Sequence, residues 1–122
     1  MAAFDELDGI GPQQIWHGVV ARAVKGERMT MAVVELDPDA HVPEHRHDNE
    51  QLGLVLYGRI RMRIDDDERD LVPGATYRIL ADVPHEAWAG PDGAVVMDVF
   101  APIRADWDAF EPQDPSAPRW PT

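Results

Sequence analysis

The 122-residue sequence predicts an all-β domain, a sandwich or a barrel of many short strands. Three observations predict it. Runs rich in Val, Ile, Met and Ala recur between Gly-, Pro- and Asp-containing turn signals at regular spacing. Arg59 to Asp65 alternates strictly between polar and apolar, as in a strand with one wet and one packed face. Nothing of helical length and period occurs before Ala101.

The elements follow in order. Residues 1–14 read as an irregular N-terminal arm, because Gly9, Gly11 and Pro12 break any pattern. Ile15–Val24 and Met29–Leu36 form a hairpin about Lys25-Gly26-Glu27, and Asp37-Pro38-Asp39 is the next turn. A short strand carries His45 and His47, and a second runs from Gln51 to Tyr57. Gly58-Arg59 connects tightly into the alternating strand, and Asp65-Asp66-Asp67-Glu68 is an acidic turn. Leu71 to Gly74 leads to Tyr77–Leu80 and then Val83–Trp88. Gly90-Pro91-Asp92-Gly93 turns the chain into Ala94–Phe100. The barrel is expected to span 15–104. The tail, 105–122, has proline at 112, 115, 118 and 121, which favours an extended strap on the surface.

Composition excludes several classes. One domain of this length has room for one core. A net charge of −12 leaves no basic stripe for nucleic acid and no attraction to an anionic membrane. With no cysteine, disulfides and thiol nucleophiles are excluded. The N-terminus has acidic residues and no apolar run, so the expected location is cytoplasmic.

The chemistry concentrates after Val42. Side chains two apart on a strand share a face, so His45 and His47 project together. Gln51 follows four residues later, and His85 follows Val83-Pro84 in a second apolar stretch. Three imidazoles and an amide oxygen would make a small metal site. His41 and His17 read as structural. By the same parity Gln51, Gly53, Val55 and Tyr57 face inward, with Tyr57 closing the wall. Leu52, Leu54 and Leu56 face an outer layer or a partner subunit.

His45-x-His47-x-x-x-Gln51 with Gly58 after it resembles the first cupin motif, in which two histidines and a Glu or Gln precede a glycine. Leu71–His85 resembles the second motif, which ends in the third histidine ligand. The resemblance covers about Val42 to Phe100. It implies a jelly-roll β-barrel (a double-stranded β-helix) with one divalent transition metal inside, whether Zn, Ni, Fe, Mn or Cu. Leu80-Ala81-Asp82 stands where the family has Pro-x-Gly, and Ala89 where it has Asn.

Within that family, Gln51 as fourth ligand and the segment Asp98-Val-Phe100-Ala-Pro-Ile-Arg104 are similar to the bacterial pectin-degradation cupins. Those proteins open 4,5-unsaturated uronates into linear 4-deoxy-5-keto-uronates. The resemblance implies a metal-dependent isomerase- or lyase-type sugar enzyme, with Asp98 and Arg104 as catalytic residues and Phe100 in the substrate pocket. Trp88 is the other aromatic residue placed to stack on a sugar face. The expected partners are a small anionic substrate and a second copy in a homodimer. Two other readings stay open: a dioxygenase using Fe or Cu, and a non-catalytic small-molecule-binding cupin.

Overall fold

The computed structural model describes residues 2–121. Eight strands follow in chain order: β1 Gln13–Trp16, β2 Val19–Lys25, β3 Thr30–Leu36, β4 His41–His45, β5 Glu50–Ile64, β6 Asp67–Leu71, β7 Thr76–Ile79 and β8 His85–Ala101. The only helical turns among the described residues are of the 3-10 type, Leu7–Gly9 and Ala105–Ala109. The strands hydrogen-bond in the order β1-β2-β3-β8-β5-β6, with β4 beside β8 and β7 beside β5. Every pair is antiparallel. The expected all-β jelly roll is what forms.

The two long strands, β5 and β8, are each shared by two layers. Residues 50–58 lie between β7 and residues 94–101, which continue to β3. Residues 60–64 lie between β6 and residues 85–89, which continue to β4. The inner faces of the layers enclose Val19, Val34, Leu36, Val55, Ile60, Ile79, Val96 and Phe100. Each such side chain, fully buried, contributes about 1.5–3 kcal/mol relative to exposure.

Three boundaries differ from the sequence reading, and glycine is the reason in each. The stretch Ile15–Val24 is two strands, because Gly18 takes φ +75° and reverses the chain after Trp16. β1 also takes in Gln13 and Gln14 of the expected arm. The predicted connection at Gly58 is a bulge inside one continuous strand. Gly58 has φ +75°, and a Cβ there would sit 2.2 Å from the Gly93 carbonyl oxygen. Residues 90–93 are likewise an excursion within β8 opposite Arg59 rather than a reversal, with Gly93 at φ +77°.

The tail returns over the barrel. Gln113 N–H donates to the Pro12 carbonyl (2.8 Å). Arg22 donates to Ser116 and forms a buried ion pair with Glu35 (2.5 Å). Glu35 in turn accepts the backbone N–H of Arg119 (3.0 Å). Residues 111–118 form no regular element and cross the outer face of β2 and β3.

Candidate metal centre

Four segments bring three imidazoles and a carboxamide together. His45 ends β4, His85 opens β8, and the two are a cross-strand pair. His47 lies in the loop between β4 and β5, and Gln51 is the second residue of β5. The loops carrying His47 and His85 are joined, because Asp82 N–H donates to the His47 carbonyl (2.8 Å). Asp82, where the cupin pattern has glycine, itself adopts φ +62°, a conformation aspartate tolerates better than most residues. One nitrogen of each of His45, His47 and His85 lies within 4.8 Å of the others.

Hydrogen bonding settles which nitrogens converge. His45 Nδ1 meets the Pro43 carbonyl (2.8 Å), His47 Nδ1 the Asn49 carbonyl (3.0 Å), and His85 Nδ1 the Val83 carbonyl (2.9 Å). A carbonyl oxygen only accepts, so each Nδ1 carries the proton and donates it. Each neutral ring is left with a bare Nε2 lone pair. Burial depresses all three imidazole pKa values, and that of His85 falls to about 4, helped by its neighbours His45, His47 and Arg104. The rings are therefore neutral at pH 7.

His47 Nε2 then faces the Gln51 carboxamide oxygen at 3.1 Å, two acceptors with no proton between them. His85 Nε2 is buried without a hydrogen-bond partner, and an orphaned buried acceptor costs about 1–3 kcal/mol. A cation shared by the four atoms relieves both. The donor set fits a transition metal, to which imidazole bonds at about 2.0–2.1 Å in the case of zinc.

Asp98 and Arg104 lie against this cluster in the same cavity, with Phe100. Asp98 is 6% exposed. It accepts from Tyr77 Oη (2.5 Å) and neighbours the Gln51 amide. Burial raises its pKa to about 6 against the opposing pull of those two groups and of Arg104. Arg104 is 8% exposed. Its guanidinium carbon lies 4.7 Å from the Phe100 ring centre and 4.6 Å from that of Trp107. Asp106 binds it through two hydrogen bonds (3.0 and 2.9 Å), leaving Nη1 free of them. The Asp106 carboxyl is held below its usual range by that guanidinium.

Two expected substrate contacts are misplaced. Tyr57 does not close the cavity wall. The ladder slips between Val55 and Tyr57, inward parity is lost, and the ring is 41% exposed. Trp88 points outward with Glu86, since β8 buries His85, Ala87 and Ala89 on its inner face. It stacks on His41 (5.5 Å, 6°), which also bonds Glu86. His17 sits in the β1–β2 turn rather than in a strand.

Sequence reasoning missed five residues that shape the site, one of them Tyr77, the donor to Asp98. Trp107 and Trp16 line the cavity, Trp16 lying 5.2 Å from the His45 ring. Thr30 Oγ1 accepts the backbone N–H of Arg104 (3.0 Å). Buried Asn49 donates to the carbonyls of Pro102 and Ile103 and so fixes the turn before Arg104.

Comparison with known proteins agrees with this architecture. The cupin domain family matches residues 32–100. The pectin degradation protein KdgF of Dickeya dadantii (strain 3937) is 29% identical over 80 residues, 65% of this chain and 73% of that protein. The solved structure of KdgF from Halomonas sp. superposes with a TM-score of 0.79 at 24% identity, covering 87% of this chain and 98% of that one. An RmlC-like cupin from Shewanella frigidimarina NCIMB 400 gives 0.81 at 21% identity, over 88% and 96%. With the family matched across more than half its length and the barrel formed around three convergent histidines, the chain belongs to the cupin family.

Proposed function

We propose that this cupin is a metal-dependent enzyme that opens a 4,5-unsaturated uronate into its linear keto form. The observation that carries the reading is one cavity lined by two of the three clustered neutral imidazoles, a buried carboxylate and a stacked arginine. Similarity to KdgF, named for pectin degradation, supports the substrate class.

The reaction is an isomerisation. The C1 hydroxyl loses its proton, the bond from C1 to the ring oxygen breaks, and the ring oxygen keeps the electron pair as an enolate. C4 then receives a proton and C5 becomes a ketone. A divalent cation held by His45, His47, His85 and Gln51 would supply Lewis acidity toward a sugar oxygen, undiminished by any charged ligand.

Arg104 grips the uronate carboxylate through the N–H groups that Asp106 leaves free. Asp98, with a pKa near 6 and a place beside the cluster, carries the proton between oxygen and C4. Phe100 packs against the sugar and holds Arg104 level. The working unit in this reading is a homodimer. Met31, Val99 and Leu52 align across three strands, and Leu52 is 48% exposed on that outer face.

Loss of C4=C5 absorbance on mixing metal-loaded protein with an unsaturated uronate tests the activity. No loss with any of the five metals sinks it. A second reading draws on the apolar remainder of the cavity, Ile15, Val42, Met62 and Ile79, which suits a hydrocarbon-rich substrate of an oxygen-using cupin. Oxygen uptake by the iron- or copper-loaded protein would favour it. Tight binding without turnover, unaffected by Asp98→Ala, would mark a non-catalytic role.

A further inference from the structure

Gly53 sits at the centre of a row of three inward-facing residues on adjacent strands. It pairs with Tyr77 of β7 on one side and with Asp98 of β8 on the other. A Cβ on Gly53 would lie 2.0 Å from Tyr77 Cζ and 2.4 Å from Tyr77 Oη. The phenol therefore lies directly across the glycine and reaches Asp98 through the space a side chain would fill. Tyr77 is buried, and its hydroxyl donates to Asp98 Oδ1. The Gln51 amide, one row along β5, neighbours Asp98 and lowers its pKa.

A carboxylate accepts only N–H from a carboxamide, so the neighbouring Asp98 carboxylate selects one of the two flips of the Gln51 amide. In that flip the carboxamide oxygen points at the imidazole cluster, 3.1 Å from His47 Nε2. The opposite flip would aim N–H at the cluster and exclude a cation. The three histidines take their orientation from backbone carbonyls. Gln51 takes its orientation from this side-chain chain.

We infer that Tyr77 is a positioning residue for the metal centre: by crossing Gly53 to Asp98 it fixes the carboxylate that turns the Gln51 oxygen toward the cation. The inference rests on the metal reading of the site and is independent of which substrate is used.

Cobalt(II) is the probe, since its visible absorption reports the donor set without any turnover. Wild-type protein should take up one cobalt(II). Tyr77→Phe keeps the ring and removes the donor, and cobalt(II) affinity should fall about 10- to 100-fold, the usual loss for an orienting partner, with an altered visible spectrum. Gly53→Ala, which displaces the ring without changing it, should weaken cobalt(II) in the same way. In a Gln51→Ala background, Tyr77→Phe should change affinity by less than about twofold, because the group it acts through is gone. Unchanged affinity and spectrum in Tyr77→Phe would overturn the inference while leaving the metal centre standing. An undiminished loss in the Gln51→Ala background would overturn it too, showing a general structural role. No cobalt(II) uptake by the wild type would remove the metal centre itself.

Discussion

Replacing His85 by alanine should separate the stability of the barrel from the stabilisation given by the metal. His85 is 6% exposed, with its Nε2 buried and unpartnered. The metal-free protein therefore loses an unsatisfied polar atom along with the ring, and the cavity cost is partly offset. Its midpoint should move little. The metal-dependent part should vanish. At a metal concentration 100 times Kd, binding adds about 2.7 kcal/mol. Unfolding entropy near 60 °C is about 2.1 cal/mol/K per residue, which for 122 residues is about 0.26 kcal/mol/K. The wild type should gain about 10 °C on adding metal. Losing a ligand costs at least the roughly 100-fold seen for strong orienting partners. The same metal concentration then equals Kd, giving about 0.4 kcal/mol and a shift under about 2 °C. Calorimetric melts with and without metal, beside metal analysis, measure both quantities. An undiminished shift and one bound ion in His85→Ala would refute the assignment.

Other expectations follow from single contacts. Gly58→Ala places a Cβ 2.2 Å from the Gly93 oxygen at φ +75°, and should destabilise by about 2–5 kcal/mol in denaturant melts. A cost below about 0.5 kcal/mol would mean the corner repacks freely. Glu35→Gln leaves Arg22 buried with no countercharge, and should cost about 3–5 kcal/mol while exposing the tail to limited proteolysis. A tail that stays protected would dissociate the ion pair from the strap. Metal-free protein should lose stability as pH falls from about 6.5 toward 4. In that window the unfolded chain protonates His45, His47 and His85 while the folded one, its imidazole pKa values depressed, does not. Asp98, raised to about 6, works in the opposite sense, so Asp98→Asn should steepen the fall. A midpoint that rises as the pH falls would contradict the histidine sign, and a shallower fall in Asp98→Asn the aspartate one.

Local pattern made the strands and ligands legible. The alternation in residues 59–65, the two-residue spacing of His45 and His47, and turn chemistry around Asp37 and Asp65 depend only on neighbours in the chain. The local pattern misleads where a glycine acts non-locally. Gly58 and Gly93 read as reversals, but their positive φ makes bulges because long ladders on both sides hold β5 and β8 straight through. Tyr57 followed from parity carried across a slip that the sequence does not mark. Parity counted from His85 alone sends Trp88 outward. Tyr77, Asn49 and Thr30 act across strands, at separations of 21, 53 and 74 residues from their partners. One signal was available: a glycine inside the strand run Gln51–Tyr57 announces close approach by something large.

The centre thus has two parts held by different means. Pro43, Val83 and Asn49 orient the imidazoles through main-chain carbonyls two residues away. No substitution of a partner side chain deletes those bonds, so the three-nitrogen set persists wherever the strands persist. Gln51 is held by Asp98 and, through it, by Tyr77. Single substitutions reach that part. Asp98 also borders the cavity in which Arg104 sits, so the carboxylate assigned to the proton is the one that aims the fourth ligand. Replacing Asp98 should therefore lower metal affinity and turnover together. Arg104→Met, which leaves the Gln51–Asp98–Tyr77 chain untouched, should weaken uronate binding at unchanged metal content. The two variants measured side by side, by metal titration and by initial rate, distinguish the charge clamp from the ligand-aiming carboxylate. Equal metal loss in both would merge the two roles and undo the division.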